Sequence, residues 1–298
     1  MSAEALTRIA IVDALHRIGV RPSEQGTVLL VHSAMRTLGL VAGGVSTVVA
    51  ALREAIGPTG TLVVPTFTSH HRGPEVPLID PARDPSEMGA ISEHVRRHPD
   101  ARRSIALRHS FAALGPRAEA ITSTDPALSP FDERSTFGEL LALNSHVLLL
   151  GVCYASSTTH HFAEWVCDVS YRRTIRRNAQ VRRPDGAVFN QPMIDYQPKP
   201  GAGPSDFNRL GRMLERAGRV SVGPVGNAMG RRFLMRDLIE LAREAARHDE
   251  NVFRFADGQT ELTPLDDGKL IPSHPGKDRT GRARRTLWSV VDEAGLYR

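Results

Sequence analysis

Leu148-Leu149-Leu150-Gly151-Val152, closely followed by Ser156-Ser157-Thr158-Thr159-His160-His161-Phe162-Ala163-Glu164, restricts this chain more than any other stretch. An apolar run that ends in glycine reads as a buried strand reaching the edge of its sheet. The hydroxyl residues behind it suit a tight turn and then a helix N-cap. A helix that begins near Thr158 sets His161 and Glu164 three residues apart on one face. Strand end, helix start, imidazole and carboxylate together describe a proton-transfer site. In α/β proteins such chemistry gathers beyond the carboxyl ends of the strands.

The preceding chain supplies partners for that strand. A helical pattern runs from Ala5 to Ile18 and stops near Gly19, and Thr27 to Val31 reads as a first core strand. Then come the turn Ala42-Gly43-Gly44, a helix over Thr47 to Ile56 capped by Ser46, and a strand over Thr61 to Val64 closed by Pro65. This order predicts parallel α/β layering. Phe67 to Met88 reads as a long loop, Gly89 to Arg97 as a helix, and Phe111 to Leu114 as a short strand. Arg182 to Met193 suggests a hairpin around Pro184-Asp185-Gly186, and two amphipathic helices are expected over Asp206 to Ala217 and Met235 to Ala246. The polar stretch from Asp249 to Arg298 reads as an appendage that ends in a short helix, Arg285 to Ala294.

The 298 residues, 41% hydrophobic and 24% charged, suit a soluble globular chain able to bury a substantial core. No internal repeat or linker is evident, so one domain with an embellished tail is the simplest organisation. No apolar run is long enough for a bilayer, and Glu4, Arg8 and Asp13 interrupt any secretory pattern at the N-terminus. Two cysteines, Cys153 and Cys167, make no disulfide framework. The expectation is a cytoplasmic protein.

The net charge of +5 is concentrated in two arginine clusters: Arg172, Arg173, Arg176, Arg177, Arg182 and Arg183, then Arg279, Arg282, Arg284 and Arg285. Such clusters attract phosphates, whether of a nucleotide, coenzyme A or nucleic acid, or form a solvated basic face. Nucleic acid is disfavoured because aromatics are 5% of the chain, with no stacking platform or zinc-finger spacing.

Within the candidate site, a carboxylate that accepts from one ring nitrogen fixes the tautomer and raises the basicity of the other, as a general base requires. His160 stands four residues before Glu164, so spacing leaves it open beside His161. The plain alternative is a surface pair on a helix. Gly43-Gly44 before a helix is a weak anion-site signal, equally explained as a turn that needs glycine dihedrals. His32, His70, His71, His109, His146, His160, Cys153 and Glu164 are conceivable metal ligands. No H-E-x-x-H, H-x-x-E-H or C-x-x-C spacing unites them, so a metal-dependent hydrolase is an outsider. No G-x-S-x-G elbow occurs.

Taken in order, the motifs resemble the antibiotic N-acetyltransferase family typified by the aminoglycoside 3-N-acetyltransferases. The resemblance rests on Val31-His32-Ser33-Ala34-Met35-Arg36, Gly43-Gly44 and Gly57-Pro58-Thr59-Gly60-Thr61-Leu62-Val63-Val64-Pro65-Thr66. It continues through Asp80-Pro81, Met88-Gly89, Arg103-Ser104 and His109-Ser110-Phe111-Ala112-Ala113-Leu114-Gly115, then Leu148 to Val152 with Thr158, His161, Ala163 and Glu164. Gly223-Pro224-Val225-Gly226 matches a later segment.

The resemblance implies an α/β fold with a central mixed, largely parallel sheet and helices on both sides. It divides the chain into an acetyltransferase domain, 1–248, and an appendage, 249–298, packed on it. It implies acetyl-CoA as co-substrate, no metal, and direct transfer to a small-molecule amine in a ternary complex, in a monomer or a homodimer. His161 takes the place of the family's catalytic histidine, with Glu164 as its acidic partner. His32, Ser33, Ala34, Met35, Arg36, Gly43, Gly44, Ser110 and Phe111 would line the coenzyme path; Asp80, Tyr154 and Asp195 would meet the acceptor. The chain departs from the family's pattern at Ala106-Leu107, Cys153-Tyr154-Ala155-Ser156-Ser157 and Tyr196-Gln197-Pro198-Lys199-Pro200. The first replaces a His-Pro pair, and the other two remove acids expected around a polycationic aminoglycoside, so a biosynthetic amine acceptor is the alternative.

Overall fold

The computed structural model describes residues 5–68 and 75–265. Its strands are β1 (Val28–Ser33), β2 (Thr61–Pro65), β3 (Leu78–Ile79), β4 (Arg102–Arg103), β5 (Phe111–Leu114), β6 (His146–Leu150), β7 (Arg172–Arg182), β8 (Val188–Pro198), β9 (Val220–Val225) and β10 (Ala228–Leu234). Its helices are α1 (Arg8–Arg17), α2 (Gly44–Ile56), α3 (Ala90–Arg96), α4 (Ala118–Thr122), α5 (Thr136–Ala142), α6 (Thr159–Val166), α7 (Phe207–Arg216) and α8 (Met235–His248). Seven strands form one sheet in the order β4-β5-β2-β1-β6-β10-β9, and β3-β7-β8 form a second.

Both faces of the large sheet are covered, which is why its central strands are continuous apolar runs rather than alternating ones. Side chains of period two divide between two cores. Val28, Leu30, Val63, Val147 and Leu149 pack with α4 to α8; Leu29, Val31, Leu62, Val64, Leu148 and Leu150 pack with α1 to α3. The expected mixed α/β sheet with helices on both sides is therefore present. Its parallel part is the central trio, since β1 pairs in parallel with β2 and β6, while β5, β10, β9 and β4 join antiparallel.

That trio creates the crevice. The chain leaves β1 through α2 on one face and leaves β6 through α6 on the other. Adjacent strands whose connections diverge to opposite faces open a cleft at their carboxyl ends. Parallel register aligns those ends, His32 beside Leu149 and Ser33 beside Leu150. Ala34 N–H donates to Leu150 C=O at 3.0 Å, tying the two exits together. Gly151 makes the turn with φ +71, and a Cβ there would overlap Thr37 Oγ1.

Several boundaries differ from expectation. α2 begins at Gly44 with Gly43 as its cap; Ser46 does not cap it, and its hydroxyl instead donates to Gly43 C=O at 2.8 Å. The hairpin is longer than 182–193: its two eleven-residue strands pair from Arg172–Pro198 to Arg182–Val188. Paired arginines on β7 mask the strand's apolar alternation, and the first basic cluster belongs to it apart from Arg183 in the turn. The β9–β10 hairpin was not anticipated, because Gly223, Pro224, Gly226 and Gly230 interrupt the β pattern. Pro224 is tolerated because β9 is an edge strand.

The long loop expected over 67–88 contains the short strand β3 and is held by side chains from outside it, Arg103 foremost. Arg103 donates to the Pro81 and Thr66 carbonyls and to Thr68 Oγ1. Val252, Phe253 and Leu265 lie in the core beneath α7 and α8. The expected helix over Arg285 to Ala294, the second arginine cluster, and His70 and His71 lie outside the described residues.

Substitution of Gly151 by Ala tests the crevice. A non-glycine residue held at such a φ costs about 1–3 kcal/mol before any overlap is counted. Denaturant titration should show at least that loss for Gly151→Ala.

Candidate active site

His161 and Glu164 are brought together by the first turns of α6, which starts at Thr159 with Thr158 as its cap residue. His161 Nδ1 lies 2.6 Å from Glu164 Oε2. The Glu164 side chain is fully buried, and that of His161 is 17% exposed. A buried carboxylate needs partners, and it has three. Besides His161, Tyr171 donates its hydroxyl to Oε1 at 3.0 Å, and Arg172 Nε sits 2.6 Å from Oε2. Burial and the nearby carboxylate push the Tyr171 phenol up, so it holds its proton and remains a donor.

Aromatic rings wall the imidazole. The Phe207 ring is 4.7 Å from it, edge to face, with Phe131 and His109 at 6.3 and 6.4 Å. Burial lowers the His161 pKa, the Arg172 and Arg108 charges lower it further, and Glu164 opposes them. His161 thus stays neutral below the usual histidine range. Its polar contacts run through Nδ1, and Nε2 makes none among the described residues. That is the arrangement a proton acceptor needs.

His160 has a different place. It is fully buried against Tyr154, Phe207 and Phe233, and burial drops its pKa to about 3. It is a packing residue of the aromatic core, which decides the ambiguity that spacing leaves between the two histidines.

The coenzyme candidates share this sheet edge. His32 ends β1 buried, with its pKa lowered to about 4 by burial, and Ser33 follows it. Ala34 and a 3-10 turn over Met35–Leu38 lead away, with Arg36 exposed. The 13-residue α2 begins nearby; no side chain caps its first turn, and the space a Gly44 Cβ would take is open. Uncapped amides, small residues and an exposed arginine fit an anionic, phosphate-bearing chain. Ser110 and Phe111 enter β5 beside the end of β2, with Pro65 opposite Phe111. The Ser110 hydroxyl donates to Thr66 C=O at 2.9 Å, and Phe111 packs edge-on against Phe67 and Phe137.

The three acceptor candidates are engaged within the protein. Asp195, 1% exposed, pairs with Arg108 at 3.2 Å and accepts from Gln197. Asp80 pairs with Arg182 at 3.3 Å, on the small sheet. Tyr154 is buried in the core and donates to Glu215 Oε1 at 2.9 Å, which also binds the buried Arg231. Sequence reasoning missed Tyr171, Arg172, Arg108, Phe131 and Phe207. Tyr171 and Arg172 stand seven and eight residues after Glu164, and Arg172 was hidden in the basic cluster. Among the described residues no group of three or more His, Cys, Asp or Glu side chains is gathered as for a metal ion. No described helix is long and apolar enough to cross a membrane.

A buried imidazole–carboxylate pair stands at the switch point of a two-sided α/β sheet. The chain belongs to the aminoglycoside 3-N-acetyltransferase family, whose model matches residues 30–247. It is 33% identical over 245 residues to aminoglycoside N(3)-acetyltransferase IV of Salmonella sp., an alignment that covers 82% of this chain and 88% of that one. The apoenzyme structure of aminoglycoside acetyltransferase AAC(3)-IVa is 30% identical with a TM-score of 0.69, covering 86% of this chain and 93% of the other. AAC-VIa bound to sisomicin is 26% identical with a TM-score of 0.73, covering 82% and 98%. The protein is therefore a CoA-dependent N-acetyltransferase, with acetyl-CoA as its co-substrate.

The buried histidines set an acid limit on stability. His32 and His160 titrate near 4 and 3 when folded, against 6.5 unfolded. Between those values the unfolded chain binds protons that the folded chain refuses. Stability is therefore full above about pH 6.5 and falls as pH drops, by about 1.4 kcal/mol per pH unit for each such group. Unfolding titrations from pH 7.5 to 4.5 should show that fall, and His160→Phe should flatten it.

Proposed function

We propose that the chain transfers the acetyl group of acetyl-CoA to an amino group of an aminoglycoside-like acceptor, with His161 as general base and Glu164 as its partner. The observation that carries the reading is the 2.6 Å contact between His161 Nδ1 and Glu164 at the mouth of the crevice, which leaves Nε2 to accept a proton. Family membership and a relative bound to sisomicin supply the acceptor class.

An ammonium has no lone pair, so the acceptor must enter the reaction as a neutral amine. Acetyl-CoA supplies an acyl thioester, whose carbonyl carbon the amine attacks directly in a ternary complex. The C–N bond forms, and the C–S bond breaks with its electron pair leaving on the coenzyme sulfur. The amine proton passes to His161 Nε2, and that proton then neutralises the thiolate to give free coenzyme thiol and the neutral ring. Glu164 holds the ring tautomer and stabilises the imidazolium, while Tyr171 fixes the carboxylate. The phosphates of the coenzyme would lie at the α2 N-terminus with Arg36, and Ser33 to Met35 would line its path. Ser110 and Phe111 would stand near the thioester. The reading places the enzyme in the cytoplasm and gives it a role in antibiotic resistance.

A second reading is favoured by one observation. Asp195 and Asp80 are neutralised by arginines, so the described part of the site presents few free carboxylates to a polycation. A less cationic amine, as in a biosynthetic N-acyltransferase, fits that charge balance. Thiol release from acetyl-CoA against aminoglycosides and simpler amines separates the two. Turnover of aminoglycosides supports the first reading, and turnover confined to other amines the second.

His161→Ala should lower kcat by roughly 10²- to 10⁴-fold and leave acetyl-CoA affinity in calorimetric titration nearly unchanged. Full activity in that variant would remove His161 from the mechanism.

A further inference from the structure

One nitrogen of His161 has two claimants. Nδ1 lies 2.6 Å from Glu164 Oε2 and 2.8 Å from Arg172 Nη2. A ring nitrogen offers one bond: it carries a proton and donates, or carries a lone pair and accepts. Donation to Glu164 leaves Nε2 free as a base. Acceptance from Arg172 would put the ring proton on Nε2 and abolish it.

Charge decides the contest. The carboxylate is the strongest acceptor present, and Arg172 Nε, 2.6 Å from the same Oε2, forms an ion pair there without a hydrogen bond, which leaves the ring proton as the donor that Oε2 takes. The Arg172 side chain is 7% exposed, and its guanidinium carbon lies 5.1 Å from the Tyr196 ring centroid, which fixes the fork in place. A permanent positive charge thus stands beside Nδ1 and shares the anion that would otherwise stabilise an imidazolium.

We infer that Arg172 is a positioning residue for the transfer reaction: held between Glu164, Tyr196 and His161, its charge keeps the imidazole neutral while Glu164 holds the ring proton on Nδ1. The inference rests on the reading of His161 as the base and extends it to the arginine beside its Nδ1. The other titratable groups around the ring are His160 on α6, Tyr171 before β7, Arg108 and His109 before β5, Asp195 and Tyr196 on β8, and Asp206 beside Phe207. Asp195 is paired with Arg108, and Asp206 accepts from Thr263 and Gln259. His160 is uncharged at neutral pH, and Tyr171 and Tyr196 keep their protons. The charges that bear most directly on Nδ1 are therefore Glu164 and Arg172. Without the arginine, Glu164 alone would favour the charged ring, and less enzyme would hold a free base at neutral pH.

The test combines NMR titration of isotope-labelled histidine rings with thiol-release kinetics across pH, on wild type, Arg172→Gln and Arg172→Lys. In wild type at pH 7, His161 should be neutral with the proton on Nδ1. A charged ring, or the opposite tautomer, would overturn the inference even if no variant folds. Arg172→Gln should raise the His161 pKa by about one pH unit or more and move the acidic limb of kcat/KM by the same amount. The KM for acetyl-CoA should stay within about twofold, and Arg172→Lys, which keeps the charge, should restore most of the limb. A folded Arg172→Gln protein with an unmoved ring titration makes Arg172 merely structural. If the ring titration moves while His161→Ala stays fully active, the base reading fails and the effect of Arg172 on the ring stands.

Discussion

The Glu164 carboxylate is the constraint on which the site depends. It is withdrawn from water, and a buried carboxylate needs polar partners to offset its lost hydration. Its three partners come from different stretches: the imidazole one turn earlier on α6, the Tyr171 phenol in the link to β7, and the Arg172 guanidinium, an ion-pair partner at the start of that strand. One buried negative charge therefore joins the large sheet's crevice to the smaller sheet. The same charge gives the imidazole its tautomer, so the groups that stabilise the anion also prepare the base.

Position in the sheet converts that local chemistry into a site. Parallel pairing of β1 with β6 brings the ends of two strands into register, and their helices leave on opposite faces. The coenzyme candidates leave one strand and the imidazole–carboxylate pair leaves its neighbour, so the two halves of a transfer reaction can meet. Gly151 makes the approach compatible with packing, because its missing side chain leaves room for Thr37. Arg103 holds the loop that closes this edge by its carbonyls, which organises backbone that has little regular structure of its own.

Charge around the site is balanced by pairing. Arginines outnumber free acids here, yet Arg108, Arg172 and Arg182 each meet a carboxylate. The residues with the strongest sequence case as acceptor ligands are consumed in those pairs. An acid needed for a cationic acceptor and an acid needed to neutralise a buried arginine look alike in sequence. Their partners distinguish them.

The sequence by itself determined the central strands, most helices, the family, and His161 with Glu164 as neighbours. These follow from apolar runs, caps, glycine turns and helical spacing, all of them local or motif-scale signals. It left the β9–β10 hairpin unread, because glycines and an edge proline mask the pattern. It also concealed β7 as a basic cluster, since adjacent arginines on both faces of the strand erase the apolar alternation. Spacing left His160 and His161 open and the family resemblance pointed to His161; the tertiary structure supplied the physical difference, since one imidazole is sealed among aromatic rings while the next reaches a carboxylate. It alone showed that Arg172 and Tyr171 complete the pair and that Asp195 and Asp80 are already engaged. Which donor reaches which acceptor depends on contacts between distant segments, and no local spacing records that.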